Sequence, residues 1–137
     1  MAGSSMTFTY DDLGAIRKVI ADWVSDSATG AVSGTTKKIT GQLIKGVTDP
    51  GATAPTDNYD IAITDEENAD VLANCVDNLA DRDTANTETV YFLVSDLAAT
   101  DPGGAVHPVV CDVLTIAVTN AGNSKTGQLD LYYRNEG

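Results

Sequence analysis

Apolar side chains alternate with polar ones in the C-terminal third of the chain, and this period of two constrains the fold more than any other feature. Two such series occur: Leu114, Ile116 and Val118, and then Leu129, Leu131 and Tyr133. Successive side chains of a β-strand point to opposite faces, so each series predicts a strand with one buried face. The segment AGNSKTG between them is rich in turn residues. We therefore expect the two strands to pair as an antiparallel hairpin.

The first half of the chain also favours strands. Tyr59, Ile61 and Ile63 alternate with polar or small residues, which predicts a strand over residues 59–64. Residues 14–26 (GAIRKVIADWVSD) fit the spacing of a helix and of a strand. Their β-branched content and the turn-rich stretch that follows favour a strand that leads into a long loop.

A long extended segment is expected next. Residues 38–47 predict extended structure with glycines at bulges, and the segment stops at TDPG, residues 48–51. Pro50 and Gly51 suit the two central positions of a type II turn. The same four letters recur at residues 100–103, again before a strand.

One helix is predicted, over residues 65–80. Thr64 and Glu67 have the spacing of a capping box, which marks a helix start. The apolar stripe that follows has helical spacing: Ala69, Leu72, Ala73, Val76, Leu79 and Ala80. Short strands between Gly, Pro, Asn and Asp turns, with this one inserted helix, predict a mainly β fold. We expect an antiparallel β-sandwich of jelly-roll kind.

The length of 137 residues suits one domain. We expect residues 1–15 to form an N-terminal arm and lead-in strand, and residues 16–137 to form the single sandwich domain.

The chain is strongly acidic, with 20 Asp and Glu against 8 Lys and Arg and a formal net charge of -12. Such a field repels phosphate backbones and anionic lipid, so direct nucleic-acid binding is not expected. No apolar run reaches the roughly 20 residues that span a bilayer. The opening MAGSSMTFTY lacks the regions of a signal peptide, so neither a membrane role nor secretion by its own signal is expected.

Residues for catalysis are scarce. Nucleophilic catalysis usually needs a histidine base, and His107 is the sole histidine, followed directly by Pro108. Phosphate-binding glycine motifs are absent from the sequence. We predict no enzyme activity, no catalytic, cofactor-binding or metal-binding residues, and no cofactor. Cys75 and Cys111 lie among apolar neighbours and are interpreted as buried free thiols.

Carboxylates are densest over residues 57–70. They are Asp57, Asp60, Asp65, Glu66, Glu67 and Asp70. Their spacing does not match a calcium-binding loop, and a solvated helix start explains three of them, although calcium binding by this run stays open. Trp23 with Tyr10, Tyr91, Tyr132 and Tyr133 offers a sugar platform as an alternative to ordinary strand packing.

Two strings of the sequence resemble small virion proteins of tailed bacteriophages. They are GVTDPGATAPTDNYDIAITDEENADVL, residues 46–72, and VLTIAVTNAGNSKTGQLDLYYR, residues 113–134. In that group a strand, a TDPGATAPTDNYD loop, an acidic TDE helix start and a C-terminal hairpin follow in this order. The resemblance covers most of residues 16–134.

Small jelly-roll proteins of this group resemble capsid cement or decoration proteins. The resemblance implies a homodimer or homotrimer that binds the major capsid protein on the outside of the capsid lattice. It implies a location on the virion surface after assembly in the host cytoplasm. An acidic exterior suits the outside of a particle better than a lumen packed with DNA. Residues 1–5 and the loop over residues 25–36 are the segments expected to reach a neighbour.

Two other functions remain open. A head–tail connector or tail adaptor has the same kind of sandwich but forms a ring, so its copy number per particle is low. A carbohydrate-binding module uses exposed aromatic side chains, of which Trp23 is the first candidate.

Overall fold

The computed structural model describes residues 4–56, 58–72, 79, 82–95 and 105–135. These residues form nine strands and no helix. The strands are β1 (Ser5–Asp11), β2 (Ile16–Val24), β3 (Val32–Pro50), β4 (Asp60–Thr64), β5 (Glu88–Tyr91), β6 (Val94–Ser95), β7 (Ala105–Val106), β8 (Val109–Thr119) and β9 (Thr126–Arg134).

Seven of these strands form one antiparallel sheet. Its order is β1-β2-β9-β3-β8-β4, and β5 pairs with β3 beside this path. The short strands β6 and β7 pair with each other in a separate sheet.

Strand β3 connects two parts of this sheet because it changes partner along its 19 residues. Its N-terminal half pairs with β8 as far as Gln42, and its C-terminal half pairs with β9 from Gln42 onward. Gly41 lies at this change of partner with a φ of +144°, and a Cβ there would lie 2.0 Å from the Arg134 carbonyl oxygen. Only glycine fits so close an approach of two backbones.

The two parts of the sheet face each other as layers of a sandwich. We call β1, β2, β9, the C-terminal half of β3 and β5 the first layer, and the N-terminal half of β3, β8 and β4 the second layer. The ring of Trp23 in β2 lies 5.7 Å from that of Tyr59 beside β4, between centroids. The Phe8 side chain of β1 lies directly over Gly34 of β3. The apolar core fills the space between the layers.

The prediction of a mainly β, antiparallel sandwich is confirmed. The pairs β2–β9 and β3–β8 are nested in the chain order. The strand predicted over residues 59–64 is β4, and the 14–26 segment contains β2. Strands also occupy the two alternating C-terminal series, as β8 and β9.

Two predictions about connections are wrong. The strands β8 and β9 do not form a hairpin, because β3 lies between them and pairs with both. Residues 48–51 do not form a type II turn, because Thr48 to Pro50 continue β3 and Pro50 pairs with Gly127. Proline at the last position of a strand costs no interior ladder hydrogen bond. The second TDPG, residues 100–103, lies outside the described residues.

The predicted helix is also wrong over its first half. Residues 65–72 form turns, in which the Asp65 carboxylate accepts the amide N–H groups of Glu67 and Ala69. The segment then runs beside β4, and Val71 donates its N–H to the Ile63 carbonyl at 2.9 Å. Residues 73–78 and 80 of the predicted helix lie outside the described residues.

The predicted loop over residues 25–36 is shorter than expected, and hydrogen bonds hold it to the rest of the domain. Residues 32–36 belong to β3, and Asp26 caps the preceding turn by accepting the N–H groups of Ala28 and Thr29. The buried Ser25 hydroxyl donates to the Gly122 carbonyl at 2.6 Å and accepts from the Lys125 N–H. These bonds tie the loop to the turn between β8 and β9.

Candidate binding surface

One line of side chains crosses the outer face of the first layer. Lys18 of β2 is the pairing partner of Tyr132 of β9, which pairs in turn with Lys45 of β3. Lys45 pairs on its other side with Tyr91 of β5. Cross-strand partners point to the same face, so these four side chains stand side by side. We call Lys18, Tyr132, Lys45 and Tyr91 the lysine–tyrosine row.

The lysines of this row lie over the tyrosine rings. The Lys45 ammonium is 4.6 Å from the centre of the Tyr132 ring and 5.8 Å from that of Tyr91. The Lys18 ammonium lies 5.5 Å from the Tyr132 ring on the other side. All three distances fall within the range of about 6 Å for cation–π attraction. Each contact is worth about 0.5–1 kcal/mol at such sites, so the contacts favour this arrangement of the long side chains.

Tyr91 is the exposed end of the row, the other three members are half-buried, and apolar side chains extend the surface. Tyr91 is 58% exposed. Beyond the row, Ile16 of β2 pairs with Arg134 of β9 and is 49% exposed, and Leu13 in the preceding loop is more exposed still. Exposed aromatic, arginine and aliphatic side chains together are typical of protein-binding surfaces.

Charges are distributed unevenly between this face and the rest of the protein. Among the described strand positions that point outward from the first layer, the cations are Lys18, Lys45 and Arg134, and the carboxylates are Asp11, Asp22, Asp49 and Asp130. They are three of the chain's 8 cations and four of its 20 carboxylates. The face is therefore close to neutral, and the rest of the chain carries almost all of the formal charge of -12.

The charges on this face are also ordered along the strands. Asp22 and Asp49 flank Gln128 in another cross-strand line, four residues from Lys18 and Lys45 along β2 and β3. Four residues of a strand span about 13 Å. One end of the face is therefore basic and aromatic, and the other end is acidic.

The aromatic platform expected from the sequence is not assembled. Trp23 and Tyr133 are each 2% exposed and belong to the core, so neither presents a ring to a sugar. Tyr10 is half-buried and stacks near Phe8. Of the five aromatic residues proposed, Tyr91 and Tyr132 share the outer face, with a lysine between them. Burial of the tryptophan removes the main support for the carbohydrate-binding alternative.

His107 has a structural contact. It lies between β7 and β8, and its Nδ1 atom is 2.8 Å from the Phe92 carbonyl oxygen. The bond ties the start of β8 to the segment after β5.

The acidic run brings three carboxylates together. Asp65 and Glu67 meet Asp112 of β8, and one oxygen of each lies within 4.8 Å of the others. Glu66 instead accepts the Val113 N–H, and Asp70 accepts the Leu72 N–H. Oxygen ligands of this kind suit a hard cation, although exposed acidic groups commonly occur without one. Asp60 accepts from the Asn120 amide at 2.8 Å, and Asp57 lies outside the described residues.

The interpretation of both cysteines as buried thiols is wrong for Cys111. Its side chain is exposed, because the alternation along β8 buries Val110 and points Cys111 outward. It lines an apolar surface groove with Gly41 and Val109. Cys75 lies outside the described residues.

Lys18 and Lys45 were not predicted as site residues from the sequence. Both occupy polar positions of alternating strands, which predicts that they point outward. Their alignment with Tyr132 depends on β3 pairing with β9, and strand alternation does not specify the partner of a strand. The ion pair of Asp12 with Lys37 was also not predicted, because it too depends on which segments lie side by side. The hydrogen bond from Lys37 holds the pKa of Asp12 below its ordinary value.

No protein-family model matches the chain, and no curated protein matches it significantly. No helix among the described residues is long and apolar enough to cross a membrane.

Proposed function

We propose that the chain is a capsid cement protein of a tailed bacteriophage, which binds the outside of the major capsid lattice and acts without catalysis. The phage assignment rests on the resemblance of residues 46–72 and 113–134 to small virion proteins. The observation that carries the binding role is the lysine–tyrosine row, a solvent-facing line of side chains on a chain that is otherwise strongly acidic.

Electrostatics favour the outer face of the first layer as the contact surface. Any approach of a body with a net negative charge is opposed by the chain's charge of -12. The cost is smallest where the local charge is near zero, which is the face that carries Lys18, Lys45 and Arg134. Tyrosine and arginine are also the residues that contribute most to protein–protein binding energy.

Lattice binding does not require a large interface for each copy. A cement protein repeats on every equivalent position of a closed shell, so modest contacts combine through avidity. The near-neutral face of the first layer is a single sheet surface, and its fixed side chains lose little conformational freedom on binding.

Copy number is the direct test of the role. In purified particles, quantification of the chain against the major capsid protein is expected to give hundreds of copies per particle. About a dozen copies indicates a ring at the tail vertex and supports the head–tail connector instead. Absence of the chain from particles contradicts both roles.

The contact surface is tested by a matched pair of charge reversals. Lys45→Glu removes the central cation of the row, and rebinding to particles that lack the chain is expected to weaken at least about tenfold. Lys38→Glu makes the same charge change on the exposed outer face of the second layer, and binding is expected to change less than about twofold. Equal losses from both variants contradict the assignment of this face.

A further inference from the structure

The two edges of the seven-stranded sheet differ in how they are protected. Strand β4 at one edge is covered, because Ile61 donates to the Leu79 carbonyl and Ile63 accepts from Val71, each at 2.9 Å. Strand β1 at the other edge pairs with β2 alone, and no other described strand forms a ladder with it. Unpaired strand edges present rows of free N–H and C=O groups that pair readily with another strand.

Strand β1 lacks the devices that usually block edge pairing. Its seven residues, SMTFTYD, contain no proline and no lysine, and its register with β2 runs from Ser5 to Asp11 without a bulge. None of the seven residues is buried. Charged, kinked or covered edges prevent association in most sheets, and no described strand covers the outer edge of β1.

The inward side chains of β1 are only partly covered within one copy. Met6, Phe8 and Tyr10 pack against the core cluster but stay half-buried. A strand from another chain that pairs with the free edge of β1 would place its own side chains beside Met6, Phe8 and Tyr10 and cover them further.

We propose that two copies of this chain pair through β1 in an antiparallel ladder, with the two-fold axis at Phe8. The sequence of β1 is nearly palindromic in residue type about this position. Phe8 then faces Phe8 of the second copy, Thr7 faces Thr9, and Met6 faces Tyr10. Aromatic and Thr–Thr cross-strand pairs are favourable contacts of an antiparallel sheet.

The register is fixed by the alternation of β1. A shift by one residue places inward side chains opposite outward ones, which the pleat does not allow. A shift by two residues keeps the alternation but shortens the ladder. Only the register centred on Phe8 pairs all seven residues from Ser5 to Asp11.

Charge is compatible with this pairing although the whole chain is acidic. Asp11 is the one charged residue of β1, and it lies opposite Ser5 of the second copy, so no like charges face each other in the ladder. Within its own chain Asp11 pairs with Lys18. The dimer forms a continuous outer face that carries two lysine–tyrosine rows. The inference rests on the geometry of β1 and is independent of the proposed capsid role.

Paired threonine substitutions test the ladder through its predicted cross-strand contacts. Thr7→Lys with Thr9→Lys places lysine opposite lysine twice in the dimer, whereas Thr7→Lys with Thr9→Glu places lysine opposite glutamate twice. Both threonines are exposed, so the fold tolerates either pair. Thr35→Lys with Thr40→Lys on the exposed face of β3 is the matched control.

Sedimentation equilibrium of the purified full chain measures the outcome. The unsubstituted chain is expected to form a dimer, with twice the 14.3-kDa mass of one copy. The two-lysine variant on β1 is expected to raise the dimer dissociation constant about tenfold or more, and the lysine–glutamate variant to dimerise at least as tightly as the original chain. The β3 control is expected to dimerise no more weakly than the original chain.

General charge effects predict the opposite order. Two added lysines lower the net negative charge of each copy. If overall repulsion between copies were the only effect, the β1 two-lysine variant would dimerise more tightly than the original chain. A monomer or a trimer of the unsubstituted chain overturns the proposal. So does a dimer that both β1 variants leave unchanged, or one that the lysine–glutamate pair fails to restore. Circular dichroism confirms the fold of each variant.

Discussion

Among the described residues the buried hydroxyl of Tyr59 has no hydrogen-bond partner, and its replacement by phenylalanine tests the packing between the two layers. The side chain is 0% exposed and its ring lies 5.7 Å from that of Trp23. Neither its hydroxyl nor that of Thr48, which is also buried, has a hydrogen-bond partner among the described residues. Burial raises the pKa of Tyr59 to about 12, and the nearby Thr48 hydroxyl opposes this shift without reaching hydrogen-bonding geometry.

The expected effect of Tyr59→Phe at neutral pH is a small gain in stability. An unsatisfied buried polar group costs about 1–3 kcal/mol, and the phenylalanine ring keeps the same packing. The substitution also removes the weak interaction of the Tyr59 hydroxyl with the nearby Thr48 hydroxyl, so the gain is smaller than this cost. We expect the free energy of unfolding to rise by up to about 1 kcal/mol.

Alkaline pH separates the two proteins further. The native state holds Tyr59 neutral up to a pKa of about 12, whereas the unfolded chain ionises near 10.0, so deprotonation favours unfolding as the pH rises between these values. Below about pH 10 the ionisation of Tyr59 does not affect the free energy of unfolding. Between pH 10 and pH 12 it lowers that free energy progressively. At pH 11 the original protein is expected to lose about 1.4 kcal/mol through Tyr59, and Tyr59→Phe loses nothing through this group.

Urea unfolding followed by the emission of Trp23 measures both effects. Unfolding free energies are determined at pH 7, 9, 10 and 11 for the original chain, for Tyr59→Phe and for Tyr91→Phe, which removes an exposed hydroxyl. The Tyr91 variant is expected to keep the pH dependence of the original chain. A loss of more than about 1 kcal/mol in Tyr59→Phe at pH 7 refutes the reasoning, because it shows that the hydroxyl is bonded. The reasoning is also refuted if the free energy of unfolding of Tyr59→Phe falls as steeply between pH 9 and pH 11 as that of the original chain.

Two further predictions concern other parts of the fold. Gly127→Ala places a Cβ 2.2 Å from Cζ2 of the buried Trp23, so the free energy of unfolding is expected to fall by about 2–3 kcal/mol in the same urea assay. Gly14→Ala is the control, because φ is +82° there but nothing lies within 4 Å of the added Cβ. It gives the cost of backbone strain alone, about 1 kcal/mol. An equal loss of unfolding free energy in both variants contradicts the clash with Trp23. Cys111 is expected to react with a thiol reagent in the native protein, detected by mass spectrometry of its peptide, and the Cys111→Ser variant lacks this adduct. Modification of Cys111 only in urea contradicts its exposure.

Side-chain alternation predicted the strands that bury one face. Ile61 and Ile63 of β4 are buried, as are Leu129 and Leu131 of β9, because period-two patterns report directly which side of a strand faces a core. The same patterns carry no information about which strand is the neighbour. The hairpin of β8 with β9 was therefore predicted from closeness in sequence, and β3 occupies the position between them.

The full length of β3 was not predicted, because glycine and proline within it are residues that often end a strand. Gly41 and Pro50 suggested separate segments, but Gly41 permits a close approach to the β9 backbone and Pro50 ends the ladder. Over residues 65–72 the predicted helix is wrong for a local reason. The Asp65 carboxylate binds the amides of Glu67 and Ala69, which turns the chain instead of starting a helix.

The lysine–tyrosine row required information that no local pattern contains. Lys18 and Lys45 are far apart in sequence, and they meet Tyr132 only because β9 lies between β2 and β3. The sequence predicted that each of these residues points outward, and the sheet order determines that they stand together.

The continuity of β3 through both layers has a consequence for how the protein unfolds. A sandwich whose layers are joined only by loops is able to lose one layer while the other persists, and its amides then exchange with solvent in separate groups. Here β8 and β9 hold opposite edges of one strand, and Gln42 pairs with both. Opening either layer therefore withdraws hydrogen bonds from the other, so the amides of β3 are expected to exchange together and only when the whole domain opens.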